Sequence, residues 1–445
     1  MLRLAGSAAT AILCDHQTTL TLAIMTHQFS RRDFHRGAAS AALAATLPTF
    51  GSRRSDSSVV RLAVIGPGKR GMNLMRGAFL GNGFQVVAVC DVDKNRLEAA
   101  KALADERQPN SKCFATTRHE VAMDRGDVDA VVIATPDHWH AHQILDAAKR
   151  HKHIYCEKPL TLTLREAQLV IPAVQKAGVV FQTGSQQRTE FGQKFVRACE
   201  LIRNGRLGKV MTVHVGVGDP PVACALDAED VESGLDWNRW LGAAPMRPYH
   251  SDLSPRGVHK HYPSWRRYWE YAGGGLADMG AHHFDIAMWA LGRDGSGPVA
   301  VHPPHVKGAT TGASVVFDDG VRIVHGGRSG ATFVGTEGVL AVDRGRIGAE
   351  PQKLLEDPLA DDAALLPRRK SHAQDWLQAI HGGDPTTCPV EVGAGSVAIC
   401  HLLNVAYRLR RSLRWDPVNW RFLDDAEANA LCDYQRRDSF ELPPL

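Results

Sequence analysis

Short apolar runs alternate with amphipathic helical stretches through the first part of the chain. Residues 59–65, 85–90, 129–135, 153–156 and 179–183 are β-rich and nearly uninterrupted, as expected of strands buried on both faces of a parallel sheet. Between the first two, Met72, Leu74, Met75, Ala78, Phe79 and Leu80 recur at helical spacing. This order predicts an α/β Rossmann-type domain over residues 58–182. Beyond residue 205 the pattern changes. Runs at 210–216, 313–317, 321–325, 331–334 and 339–343, with turns such as Asp318-Asp319-Gly320, predict a large open, mostly antiparallel sheet. Residues 183–430 are therefore assigned to an α+β substrate and oligomerisation domain, and 431–445 to a carboxyl-terminal tail.

Composition narrows the function classes. A chain of 445 residues with 44% hydrophobic and 22% charged residues is globular, long enough for two or three domains. The formal charge is +4, of which +2 lies beyond residue 44, so no basic surface argues for nucleic acid. Nine cysteines include no Cys-x-x-Cys pair, which predicts buried free thiols rather than a zinc knuckle or redox dithiol.

The amino terminus reads Ser30-Arg31-Arg32-Asp33-Phe34-His35-Arg36, followed by an uncharged Ala-rich stretch with a cleavage-type Ala42-Leu43-Ala44. It resembles a twin-arginine export signal, which implies export machinery as a partner and a periplasmic location, or a cytoplasmic one if the signal is accidental. Residues 1–57 are assigned to this signal and a linker, with Met25 as the expected true start. The apolar stretch is too short for the roughly 20 residues that cross a bilayer, so no membrane insertion is expected.

The first strand ends in Gly66-Pro67-Gly68-Lys69-Arg70-Gly71, and Asp91 follows the second strand, 20 residues beyond Gly71. A Gly-x-Gly-x-x-Gly turn between strand and helix, with an acid at this distance, is a dinucleotide fingerprint. Gly66 permits the turn, Gly68 lets backbone approach a pyrophosphate, and Gly71 lets helix meet strand. Asp91 would accept ribose hydroxyls and repel a 2′-phosphate, favouring NAD over NADP, although Arg70, Lys94 and Arg96 lie nearby.

Two loops follow later strands: Thr135-Pro136-Asp137-His138-Trp139-His140-Ala141-His142 and Glu157-Lys158-Pro159. Further on, Asp278, His282, Asp285 and Trp289 fall at i, i+4, i+7 and i+11, one polar stripe on an apolar helix. A buried His satisfied by Asp278 would explain that stripe structurally; Lys158 in a neighbouring loop favours chemistry. Hydride transfer from an alcohol also needs a proton acceptor, and His is the usual one. No metal is expected from the three alternating histidines, because neighbours of that spacing point apart unless extended.

Ala134–His140, Cys156–Leu160 and Gly273–Asp285 resemble three signature segments of the glucose-fructose oxidoreductase/inositol dehydrogenase (Gfo/Idh/MocA) family, in its exported subgroup. The resemblance runs from about residue 59 to the carboxyl terminus. It implies His282 as general base, Asp278 as its orienting or substrate-binding partner, and Lys158 as the cation that polarises the reacting oxygen and contacts nicotinamide. Asp285 would stand behind them. Thr135, Pro136, His138, Trp139, His140, Glu157 and Gln186 would join Gly66, Gly68, Lys69, Arg70, Gly71, Asp91 and Lys158 around the cofactor. Arg188, Trp265 and Arg266, with Lys158, Asp278 and His282, would hold the substrate. Aromatic faces and an Arg beside a polar cleft suit a carbohydrate or cyclitol. The implied activity is NAD-dependent oxidoreduction of a secondary hydroxyl on a sugar, glycoside or cyclitol, in a homodimer or homotetramer with a tightly held cofactor. Glycoside hydrolysis through transient oxidation, and a non-catalytic sugar or nucleotide sensor, are the alternatives.

Overall fold

The computed structural model describes residues 59–443; the candidate signal and linker at 1–57, with Met25 and Cys14, lie outside the described residues. The apolar runs become β1 (Val60–Ile65), β2 (Phe84–Cys90), β4 (Ala130–Ile133), β5 (His153–Cys156) and β6 (Phe181–Thr183), joined by β3 (Phe114–Thr116). All pair in parallel, in the order β3-β2-β1-β4-β5-β6. Every residue of β4 is buried, which is why its run shows no alternation. Helices α1 (Lys69–Leu74), α2 (Lys94–Arg107), α3 (His119–Met123), α4 (Asp137–Lys149) and α5 (Leu164–Ala177) make the crossovers. The Asp93 side chain caps α2, and a Thr163–Glu166 capping box starts α5. The strand order reverses between β1 and β4, so their following loops diverge and leave a crevice at the carboxyl edge.

The second half contributes α6 (Lys194–Arg203), β7 (Val210–Gly216), α7 (Trp237–Leu241), α8 (Gly274–Ala290), β8 (Ala300–His302), β9 (Ser314–Val316), β10 (Arg322–Gly335), β11 (Gly338–Val342) and β12 (Ile347–Glu350). α9 (Lys353–Glu356), α10 (His372–Ile380), α11 (Val390–Leu409), β13 (Leu413–Asp416) and β14 (Arg421–Phe422) complete it, before a short final helix. Its sheet runs β12-β11-β10-β9-β8-β13-β14, with β7 also on β10, and every pairing is antiparallel. The two runs expected at 321–325 and 331–334 are one strand, β10, broken by a bulge. Gly326, Gly327 and Gly330 take positive φ there, which lets the strand keep pairing with β7 on both sides of the bulge.

Side chains from α6, α8 and α11 share one core with Val213, Val215, Ile323, Phe333 and Leu340 of this sheet. Two late helices cross back to the first domain. Trp376 of α10 packs in the Rossmann core against Phe79, Phe84 and Tyr155. Val390, Ala394 and Val397 of α11 join the core around Ile133 and Cys156. α11 is long and apolar enough to cross a membrane by composition, but 83% of its most apolar stretch is buried inside the protein. Residues 431–443 also return, through a buried Arg436–Glu166 ion pair (2.9 Å) and Phe440 packed edge-on to Trp139. Among the described residues eight cysteines are free thiols, six of them buried.

Candidate active site

The glycine turn meets the demands of a dinucleotide. Gly66 has φ +75°, and a Cβ there would lie 2.8 Å from Thr135; at Gly71 it would lie 2.6 Å from the Gly66 carbonyl oxygen. At Gly68 the same atom would meet nothing within 4 Å, so open space adjoins the backbone where a pyrophosphate would approach. No side chain caps α1, which leaves its first N–H groups available to an anion. Asp91 lies in the same cleft with Thr135, Pro136 and Trp139. One carboxylate oxygen accepts the Asp93 N–H (2.9 Å), and burial pushes the group up to about 6, so it is mostly ionised at neutral pH.

The basic neighbours of Asp91 are engaged elsewhere. Arg70 pairs with Glu157 at 2.8 Å, and Glu157 also accepts from Gln186 at 3.0 Å. Although burial acts against it, Arg70 holds the Glu157 carboxyl below its ordinary range. Arg96 donates to Ser254 Oγ (3.2 Å) and to the carbonyls of Pro255 and Gly257, while Lys94 does not line the cleft. Lys69 donates to the Lys260 carbonyl and lies over the Tyr262 ring. Arg96 and Lys69 thereby pin residues 254–263 as a strap beside the dinucleotide cleft, an element the sequence pattern does not mark.

A larger cleft of about 990 Å³ adjoins, sharing Arg70, Thr135, Tyr262, Trp265 and Arg266 with the first. Lys158 enters it from the loop after β5, where the Lys158–Pro159 bond is cis. Its ammonium donates to the Asp278 carbonyl oxygen (2.8 Å) and to Oδ1 (2.7 Å). An ammonium has three donors, so one remains. Burial opposes ionisation of Asp278, but Lys158 and Arg266, the latter at 3.6 Å, hold its carboxyl below the usual range.

His282 lies one turn along α8. It makes no hydrogen bond to Asp278; Nδ1 is buried without a partner, leaving Nε2 as the nitrogen open to the cleft. Burial, then the charges of Lys158 and Arg344, push its pKa well below 6.5, so the imidazole is neutral. Trp265 and Arg266 line the same cleft, with the guanidinium 4.1 Å from the Trp265 ring centroid.

Three expected contacts fall outside the clefts. Arg188 is 3% exposed and saturated: Nε and Nη2 meet Asp285 (2.9 and 2.7 Å), and both terminal nitrogens meet Asp294 at 2.8 Å. Contrary to the expectation from sequence, Arg188 therefore does not reach a substrate, since its charge is already neutralised inside the protein. His138 is fully buried and its Nε2 donates to the Trp240 carbonyl (3.0 Å). His140, 1% exposed, sits between the carbonyls of Pro159 (2.8 Å) and Thr135 (3.0 Å). Neither touches the cleft; the expected cofactor contacts are replaced by backbone ones, and His140 ties the loops that present Thr135 and Lys158. Asp137 and Arg344 also line the cleft and carry no sequence signal of it: Asp137 opens α4 inside a histidine-rich run, and Arg344 sits in the β11–β12 turn, where Asp343-Arg344-Gly345 reads as an ordinary hairpin tip.

A doubly wound sheet, a Gly-rich turn with its ribose-directed acid, and a neighbouring Lys–Asp–His cleft define a dinucleotide-dependent oxidoreductase. Residues 60–185 match the description "Oxidoreductase family, NAD-binding Rossmann fold", and residues 222–442 match "Oxidoreductase family, C-terminal alpha/beta domain", both of the Gfo/Idh/MocA group. The chain belongs to the Gfo/Idh/MocA oxidoreductase family and carries its NAD-binding domain. It is 30% identical over 161 residues to myo-inositol 2-dehydrogenase of Thermotoga maritima, covering 36% of this chain and 46% of that one. It is 34% identical over 160 residues to inositol 2-dehydrogenase of Arthrobacter sp. (strain FB24), covering 36% and 45%. The matched segment thus spans less than half the length of these relatives. In fold it is similar to the WlbA dehydrogenase from Bordetella pertussis in complex with NADH and UDP-GlcNAcA, with TM-score 0.57, 19% identity, and 80% and 99% coverage of the two chains.

Proposed function

We propose that the protein oxidises a secondary hydroxyl of a sugar, glycoside or cyclitol, using a tightly held NAD. The observation that carries this reading is a neutral, unpaired His282 in the same cleft as a lysine with one free donor. Bound nicotinamide supplies the hydride acceptor. Lys158 donates its remaining N–H to the reacting oxygen, favouring the developing alkoxide, and Asp278 holds the ammonium in place. His282 Nε2 takes the hydroxyl proton. Arg266, held over the Trp265 ring, offers donors to a polyhydroxylated ring. The ionised Asp91, with Arg70 paired to Glu157 and Arg96 donating to Ser254 and the strap carbonyls, supports NAD over NADP, and the pinned strap supports slow cofactor exchange. Nucleotide released from the purified protein, read before and after a sugar and cyclitol panel, tests this: NAD converted to NADH with one substrate class supports it, and absence of bindable nucleotide overturns it.

One observation favours the second reading, glycoside cleavage through transient oxidation. Asp137 lines the same cleft with 3% exposure, and burial pushes its carboxyl well above the usual range, which favours the protonated form that a general acid needs. Cleaved product without net NADH is the result that selects it.

We extend the proposal to export and assembly. The Ser30-Arg31-Arg32 segment supports passage through the twin-arginine route to the periplasm, tested by peptide mapping of the mature amino terminus. Partial exposure of Thr212, His214, Thr332, Val334 and Ala341, against buried Val213, Val215, Phe333 and Leu340, supports a homodimer or homotetramer through the outer sheet face. Light scattering that returns a monomer rejects that assembly.

A further inference from the structure

We propose that the substrate carries a carboxylate and that Arg344 receives it, an inference that rests on the oxidoreductase reading of the cleft. Most charged groups lining that cleft are matched. Arg70 pairs with Glu157 (2.8 Å), Lys158 with Asp278 (2.7 Å), and Glu190 accepts the His372 N–H (3.0 Å). Arg344 differs. It is exposed, reaches in from the β11–β12 turn, and donates from Nε to Gln187 Oε1 at 3.0 Å. Its guanidinium lies over the Phe191 ring, 4.8 Å from the centroid.

These two contacts fix the plane of the group but leave both terminal nitrogens without an acceptor. Gln187 donates in turn to the His282 carbonyl oxygen at 3.2 Å, so the free fork is tied to the helical turn that carries the base. A planar guanidinium held with two nitrogens free matches the paired oxygens of a carboxylate. Lys370 lines the same cleft with no acceptor, which adds to a local field that favours an anion. A neutral sugar would leave the two terminal nitrogens to water; a sugar acid engages both while presenting hydroxyls to Lys158 and His282.

The test uses the NAD-loaded protein with matched hexoses, hexuronates and hexose phosphates, following NADH absorbance for turnover and tryptophan fluorescence for binding. The hexuronates are expected to give the highest kcat/KM. In Arg344→Met the acid-to-neutral ratio should fall by about 10- to 100-fold, with part of it restored in Arg344→Lys. A wild-type protein that prefers neutral sugars or phosphates overturns the inference, as does an Arg344→Met variant that leaves the ratio unchanged. Hexuronate binding that depends on Arg344 without any turnover supports the anion site and removes the oxidoreductase reading instead. Neither binding nor turnover with any member overturns both.

Discussion

Asp278 and Asp285 stand seven residues apart on α8, each against a basic side chain, and their surroundings separate them. The Lys158–Asp278 pair borders the cleft, with side chains 14% and 28% exposed. One ammonium donor is left over, and a second cation, Arg266, lies within reach. The Arg188–Asp285 pair is sealed, at 2% and 0%, with Asp294, Ser396 and the Trp289 ring closing around it. Every donor it has is occupied, so it holds α8 to the loop after β6 and cannot bind anything else. A cation–carboxylate pair is a tool where a donor remains free and a fastener where none does.

That contrast can be broken from either side. The largest effect is expected at the cleft: Lys158→Met or His282→Ala should lower turnover by about 10²–10⁴-fold while NAD remains bound and the melting temperature changes little. Steady-state kinetics beside released-nucleotide analysis checks this, and unchanged activity in both variants removes the mechanism. Next, Asp285→Ala removes one of the two carboxylates of a buried guanidinium, leaving Arg188 its Asp294 contacts alone, and should cost about 3 kcal/mol in urea unfolding. Asp278→Ala should cost far less stability, because the Lys158–Asp278 pair borders the open cleft and water can take the place of the lost carboxylate; equal losses in the two variants would abolish the distinction.

The glycine turn offers a smaller version of the same comparison. Gly66→Ala forces a side chain into positive φ against Thr135 and should cost about 1–3 kcal/mol in folding. Gly68→Ala, whose φ is −66° and whose added methyl meets no protein atom, should leave stability unchanged and weaken NAD by about tenfold, as isothermal titration would show. The smallest effect follows pH. Asp91 is raised to about 6 in the folded protein, so its acceptor form is retained above that value and lost below it. NAD affinity should therefore be flat from pH 8 to 7 and decline as pH falls through about 6. His282 shifts in the opposite direction, so turnover at saturating NAD should persist below pH 6.5, where an ordinary histidine base would be lost.

Much of this architecture was legible beforehand. Uninterrupted apolar runs at 129–135 and 153–156 read as buried parallel strands because both faces of that sheet are covered. Gly66, Gly68, Gly71 and Asp91 were legible because a pyrophosphate and a ribose constrain a few neighbouring backbone positions. Periodicity placed Asp278 and His282 on one helix face but did not separate Asp285 from them, since i+7 returns to that face whatever packs against it. Arg344 and the 254–263 strap escaped notice for a different reason: hairpin tips and irregular loops show no period, and their partners lie far away in sequence.

The chain's own pattern determined the order of strands and helices, the dinucleotide turn, and which segments carry acids, bases and histidines, because those depend on residues near one another in sequence. Tertiary structure alone decided what each charged group meets. It placed Lys158 on Asp278 across 120 residues, turned Arg188 inward onto Asp285 and Asp294, and buried His138 and His140 against backbone carbonyls. The physical reason is that a charge or imidazole is defined by its partners and its access to water, and both are fixed only when distant segments pack.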